Sequence, residues 1–130
     1  MNIADVIVHY NTVLSQNHRV WTYFQIISCA LIGFIWSFEQ KDACVFGVII
    51  IIYIGFSWGN CRLIKNSQSN LLMISQSISN YMQENESVIP NSIKPLRKTF
   101  YHDSVFHVTA LHLIISILTI LAILIKYFKF

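Results

Sequence analysis

Three long apolar runs, separated by polar segments, dominate the pattern of the chain. They cover residues 20–38, 43–60 and 104–125, and none contains Asp, Glu, Lys or Arg, although the third contains His107 and His112. At about 1.5 Å of rise per residue, each run makes a helix about as long as the roughly 30 Å hydrocarbon core of a bilayer is thick. The pattern therefore predicts three transmembrane helices and an all-α membrane protein.

The connections between the runs differ greatly in length. Only residues 39–42 join the first two runs, and so short a link predicts an antiparallel helical hairpin. Residues 61–103 join the second and third runs, and they include Pro90 and Pro95, which stop helices. A polar element has room only in this connection and in residues 1–19, so we expect one membrane domain over the whole chain.

Two polar segments carry an apolar stripe at helical spacing. In residues 1–19 and 62–83 the stripes are formed by Ile3, Ile7, Tyr10 and Leu14, and by Leu71, Ile74, Ile78 and Tyr81. The opposite face of the second segment is Ser, Asn and Gln, and an uncharged polar face seldom supports a lone helix. We therefore expect an N-terminal amphipathic helix and a cytoplasmic helical extension of the second span that pack together, within one subunit or between subunits.

The composition supports a membrane protein. The chain is 55% hydrophobic and 12% charged, whereas an ordinary soluble domain has about 45–50% apolar and about 25% charged residues. So few charges cannot cover a soluble globule, which argues against a free-standing soluble enzyme. Intrinsic disorder is excluded too, because it requires low hydrophobicity and high charge.

Basic residues are unevenly distributed over the predicted topology. Arg19 and the basic residues of the 61–103 connection fall on one side, whereas Lys41, Lys126 and Lys129 fall on the other. Cytoplasmic segments of membrane proteins carry the excess of Lys and Arg. The pattern predicts a multi-pass protein of a bacterial inner membrane, with the N-terminus and the connection in the cytoplasm and the C-terminus outside.

Small residues recur along one line of each of the first two spans. They are Cys29, Gly33 and Ser37 in the first span, and Ala43, Gly47, Gly55 and Gly59 in the second. Small residues allow membrane helices to approach closely. These lines are predicted to hold the hairpin together or, alternatively, to form a contact between subunits.

The third span carries a polar stripe. Its members are His102, Thr109, His112, Ser116 and Thr119, which lie on one face of a helix. Polar groups are costly against lipid, so the stripe is predicted to form hydrogen bonds inside a bundle or to line an aqueous path made by several subunits. His112, near the middle of the span, is the functional candidate, with Gln25 in the first span as its partner.

Arg97 and His102 form an Arg-x4-His pattern directly before the third span. It resembles the short Arg/His motif of HEPN-type ribonucleases, which implies that the His acts as general acid or base while the Arg stabilises charge on the scissile phosphate. Lys98 departs from that motif, which has an uncharged polar residue after the Arg. Alternatively, Lys94, Arg97 and Lys98 form a basic collar that meets lipid phosphates.

A small membrane-spanning chain with this pattern also resembles the pore-forming membrane accessory proteins of type VI CRISPR systems. More loosely, it is similar to other small membrane effectors of prokaryotic antiviral defence. The resemblance covers residues 97–102 and the membrane-spanning character of the chain. It implies a homo-oligomeric assembly that depolarises the inner membrane when triggered, with Arg97 and His102 as the matching positions.

The expected function is therefore a homo-oligomeric membrane-perturbing or pore-forming effector, and not an enzyme, because the chain has no phosphate-binding loop, dinucleotide turn or nucleophile elbow. An accessory subunit of a larger membrane complex is the first alternative, and a HEPN-like membrane-associated ribonuclease is the second.

The expected partners are membrane lipids, further copies of the chain and a protein on the cytoplasmic side. Stable nucleic-acid binding is not expected, because the 61–103 connection lacks a broad basic patch. The cysteines are scattered, and the histidines at 102, 107 and 112 do not share a helical face. No metal site and no cofactor are therefore expected.

Overall fold

The computed structural model describes residues 3–39, 42–85, 87 and 103–129. Within these ranges the chain forms three helices: α1 (Ile3–Ser37), α2 (Ala43–Glu84) and α3 (Val105–Lys129). All three are long and apolar enough to cross a membrane. The prediction of an all-helical, multi-pass membrane protein with three spans is thus confirmed at this level.

Helices α1 and α2 run on well past their predicted spans. Residues 3–19 and the first span form one continuous helix of 35 residues, and the second span continues without a break into a helix of 42 residues. At 1.5 Å per residue α2 is about 63 Å long, roughly twice the thickness of the hydrocarbon core. The N-terminal amphipathic segment is therefore not a separate helix, because no residue between it and the span interrupts the backbone hydrogen bonds.

Local capping explains where the helices begin. Asp42 has an extended backbone, and its side chain accepts a hydrogen bond from the Cys44 backbone N–H at 2.8 Å, which caps the start of α2. Ser104 does the same for α3, since its Oγ accepts from the backbone N–H of His107 at 3.3 Å. These caps fix the turn of the hairpin and the entry into the third span.

The buried positions of α2 recur mostly every three or four residues, as in a coiled coil. They are Phe46, Tyr53, Ser57, Asn60, Ile64, Gln68, Leu71, Ser75, Ile78 and Met82. This single stripe faces α1 along most of its length and faces α3 only along its first part. In the described chain the molecule thus has a three-helix region (residues 17–37, 43–68 and 103–129) and a two-helix region (residues 5–16 and 69–84).

The two-helix region has an apolar core. Tyr10 and Val13 of α1 pack against Leu71, Ile78 and Met82 of α2. The predicted contact between the N-terminal segment and the extension is present, and it forms within one chain. Each predicted stripe differs in one detail: Met82 is buried while Tyr81 is 48% exposed, and Val13 is buried while Ile7 is 38% exposed.

The hairpin end of the three-helix region has a second apolar core. Ile35 of α1, Phe46 of α2 and Ile123 of α3 form its buried centre. Tyr127 closes it from the last turn of α3, with its ring 5.3 Å from that of Phe46. The remaining part of the three-helix region, between the two apolar cores, encloses polar side chains beside the buried Phe24 and Ile64.

Candidate functional site: the polar layer inside the bundle

Hydrogen-bonded polar pairs lie between the two apolar cores. In the middle of the three-helix region, the Oγ atoms of Ser57 and Ser116 lie 2.6 Å apart. One turn further along α2, Asn60 Nδ2 lies 3.4 Å from His112 Nε2. Both pairs join α2 to α3, and all four residues are buried. We call these four residues, with the pairs described next, the polar layer.

The polar layer extends to α1 at both ends. Ser28 Oγ and Tyr53 Oη lie 2.8 Å apart on the side of the hairpin. On the other side, Asn17 Nδ2 donates to Gln68 Oε1 at 2.9 Å, and Gln68 Nε2 donates to the backbone carbonyl of Asp103 at 2.7 Å. The layer therefore cross-links all three helices with directional bonds, which fix the rotation of each helix about its axis.

His112 is the most enclosed member, with no exposed surface. Its imidazole stacks on the ring of Phe24 at a centroid distance of 4.0 Å and an interplanar angle of 24°. The indole of Trp21 meets it edge-on at 6.1 Å. His112 Nδ1 has no hydrogen-bond partner in the described part of the chain, so one polar atom of the ring is enclosed unpaired.

The predicted stripe on α3 is thus enclosed within one subunit. Ser116 and Thr119 are buried, and Thr109 is half-buried. Their hydroxyls donate to carbonyls of the preceding turn, those of His112, Ile115 and Val105, at 2.9, 2.9 and 2.7 Å. This geometry matches the alternative in which the stripe forms hydrogen bonds inside a bundle.

One detail of the prediction for His112 needs correction. Gln25 is exposed on α1 and is not its partner, because Phe24 and Ser28 define the buried face of α1 and Gln25 follows Phe24 by about 100° around the helix. The partner is Asn60, the last residue of the second apolar run. His112 therefore lies near the middle of the third span and level with the end of the second.

The small-residue faces point away from the other helices. A side-chain carbon placed on Gly33, Gly47, Gly55 or Gly59 would meet nothing within 4 Å. Cys29 and Ser37 are exposed as well. The prediction that these faces hold the hairpin together is wrong, because Phe24, Ile35 and Phe46 occupy the contacts between helices and bury more apolar surface there. The contact between subunits stays a prediction.

Sequence reasoning missed the α1 and α2 members of the polar layer. These are Asn17 and Ser28 on α1, and Tyr53, Ser57, Asn60 and Gln68 on α2. A signal was present on α2, because Tyr53, Ser57, Asn60 and Gln68 follow the spacing that identified the stripe on α3. The motif residues Arg97 and His102, by contrast, lie outside the described residues.

Comparisons with known proteins add no relative. No family model matches the chain, and neither a curated protein nor a solved structure is significantly similar to it.

Proposed function

We propose that this chain is a homo-oligomeric inner-membrane protein that perturbs the bilayer as an effector, in the manner implied by its resemblance to membrane effectors of prokaryotic antiviral defence. In this proposal the N-terminus and residues 61–103 lie in the cytoplasm, where they bind a protein partner, and the C-terminus lies outside.

One observation carries the proposal: the glycines of the spans face away from the subunit's own helices. Glycine costs a helix interior about 1 kcal/mol relative to alanine, and it brings no packing surface against lipid. Close helix contact through small residues is the usual compensation in membranes. Since Gly47, Gly55 and Gly59 find no such contact within the chain, a second copy is the partner that we propose for this face.

The mass of the detergent-solubilised protein, purified alone and measured by light scattering with detergent subtraction, tests the assembly. We expect a discrete oligomer for the unchanged chain and a smaller species for Gly55→Leu/Gly59→Leu, because the added side chains hold the helices apart. Ile114→Phe, which adds bulk at an exposed position of α3, is the control and leaves the mass unchanged. A monomer from the unchanged chain contradicts self-assembly.

The polar layer suggests how an effector of this kind opens. With the α3 stripe hydrogen-bonded inside the subunit, its polar groups are satisfied by α2 and by the backbone of α3, and a polar path forms when α3 turns away from α2. Because the Ser57 and Ser116 Oγ atoms are 2.6 Å apart, cysteines at both positions are placed to form a disulfide that prevents this movement.

Dye leakage from liposomes tests the path. In a background in which Cys29, Cys44 and Cys61 are replaced by Ala, we expect the oligomer to release dye when Ser57→Cys/Ser116→Cys is reduced and to retain it when oxidised. The single variant Ser116→Cys is the control and is insensitive to oxidation. Leakage that persists from the oxidised double variant excludes a path formed by movement of α3.

The burial of the stripe also favours a second candidate, the accessory subunit of a larger membrane complex. A subunit whose α3 stripe is hydrogen-bonded within the bundle suits a protein that packs against others and conducts nothing. A chain that is monomeric when purified alone, or an oligomer that never releases dye, supports this candidate over the effector. The ribonuclease alternative rests on Arg97 and His102 and gains no support from the described residues.

A further inference from the structure

A groove of about 520 Å³ runs between α2 and α3 on the outer surface of the three-helix region. Its lining residues are Ile54, Ser57, Trp58, Cys61, Arg62, Leu113, Ser116, Ile117 and Ile120. The groove belongs to the part of the bundle that is predicted to cross the membrane, so its occupant comes from the bilayer or from another membrane-embedded chain.

The walls of the groove suit an acyl chain. They are formed mainly by large apolar side chains, among them Ile54, Leu113 and Ile117. The only hydroxyls in the lining belong to Ser57 and Ser116, which already bond to each other. The groove therefore presents no unsatisfied hydroxyl that would require a polar occupant, and its α2 wall from Ile54 to Arg62 is about 12 Å long.

One end of the groove carries a positive charge. Arg62 lies two residues beyond the end of the second apolar run and is exposed, and Lys65 is exposed one turn further on. Among the described residues, none accepts a hydrogen bond from the Arg62 guanidinium or forms an ion pair with it. Trp58 lies beside this end with 69% of its surface exposed, and indole rings favour the level of lipid headgroups. A guanidinium at that level binds a phosphate through two parallel hydrogen bonds.

We propose that this groove binds an anionic phospholipid, with one acyl chain between α2 and α3 and the phosphate on Arg62. Charge complementarity favours a lipid over a second copy of the chain, because none of the three apolar runs contains an Asp or Glu to pair with Arg62 at this depth. The site does not depend on the oligomer, since the glycine face of α2 that we propose for self-assembly does not line the groove.

Fluorescence quenching in bilayers tests the site, because Trp58 lines the groove. Trp21→Phe/Trp36→Phe leaves Trp58 as the only tryptophan in the chain. This variant is placed in phosphatidylcholine bilayers that contain increasing fractions of brominated phosphatidylglycerol or brominated phosphatidylcholine. We expect phosphatidylglycerol to quench Trp58 at about fivefold lower mole fraction, the preference that one basic residue near the surface confers.

Two pairs of variants separate the headgroup from the groove. Arg62→Gln removes the preference for phosphatidylglycerol, whereas Lys129→Gln, which changes the net charge equally at the other end of α3, leaves it. Ile117→Phe fills the groove and lowers quenching by both lipids. Its control is Ile114→Phe, since both isoleucines are 55% exposed but only Ile117 lines the groove.

Three results overturn the proposal: equal quenching by the two lipids, a preference that survives Arg62→Gln, or quenching that Ile117→Phe does not reduce. If neither lipid quenches Trp58, a protein chain fills the groove, and this result also overturns the proposal. If the tryptophan substitutions disturb folding, native mass spectrometry of the chain with all three tryptophans tests the same lipid site. Retained phosphatidylglycerol that is lost with Arg62→Gln, and kept with Lys129→Gln, supports the site.

Discussion

The two-helix and three-helix regions differ in which kind of residue they bury and which they expose. The two-helix region buries apolar residues, such as Tyr10, Leu71 and Ile78, under a surface of Ser, Asn and Gln. The three-helix region encloses Ser57, Asn60 and His112 under a surface of Ile, Leu and Phe. The difference follows from the solvent. Water drives apolar groups together, whereas in lipid polar groups gain by hydrogen-bonding to each other and apolar groups gain no hydrophobic stabilisation from burial.

The largest effect is expected in the two-helix region. Leu71 is fully buried in its core, and truncating a buried Leu costs about 2–5 kcal/mol. Leu71→Ala should therefore raise hydrogen–deuterium exchange of the amides around residues 71–82 while leaving the three-helix region protected. Met73→Ala, at a position 58% exposed, is the control. Equal loss of protection in both regions would show that they unfold as one unit.

A smaller effect is expected in the polar layer. Leaving a buried partner unpaired costs about 1–3 kcal/mol, so His112→Leu and Asn60→Leu should each lower the free energy of unfolding measured by titration with SDS in mixed micelles. The double variant leaves neither group unpaired. Its loss should be clearly smaller than the sum of the single losses, and additive losses would mean that the two residues do not interact.

The helices could be predicted because their signals are local. Long uncharged runs identify the spans, and the short link of residues 39–42 identifies the hairpin. The packing of the extension on the N-terminal segment could also be predicted, since two apolar stripes that would otherwise face water are buried when they pack against each other.

The partners within the bundle could not be predicted in the same way. A helical period shows that His112, Ser116 and Thr119 share a face, but it does not show which neighbour that face meets. Depth alone suggested Gln25, whereas the rotation of α1 is set by Phe24 and Ser28. The direction of the glycine faces is also set by the rotation of each helix. The bulky residues of each span form the contacts within the subunit, and the small residues therefore face outward.

Helix α2 connects the two-helix region to the three-helix region without a break. From Ala43 to Glu84 no proline or cap interrupts the helix, so a push or a twist applied to its far end is not absorbed by a hinge on the way. Met82 in the apolar core and Asn60, whose Nδ2 lies 3.4 Å from His112 Nε2, belong to this same continuous helix. Movement at the Glu84 end of α2 is therefore expected to change the contacts between α2 and α3.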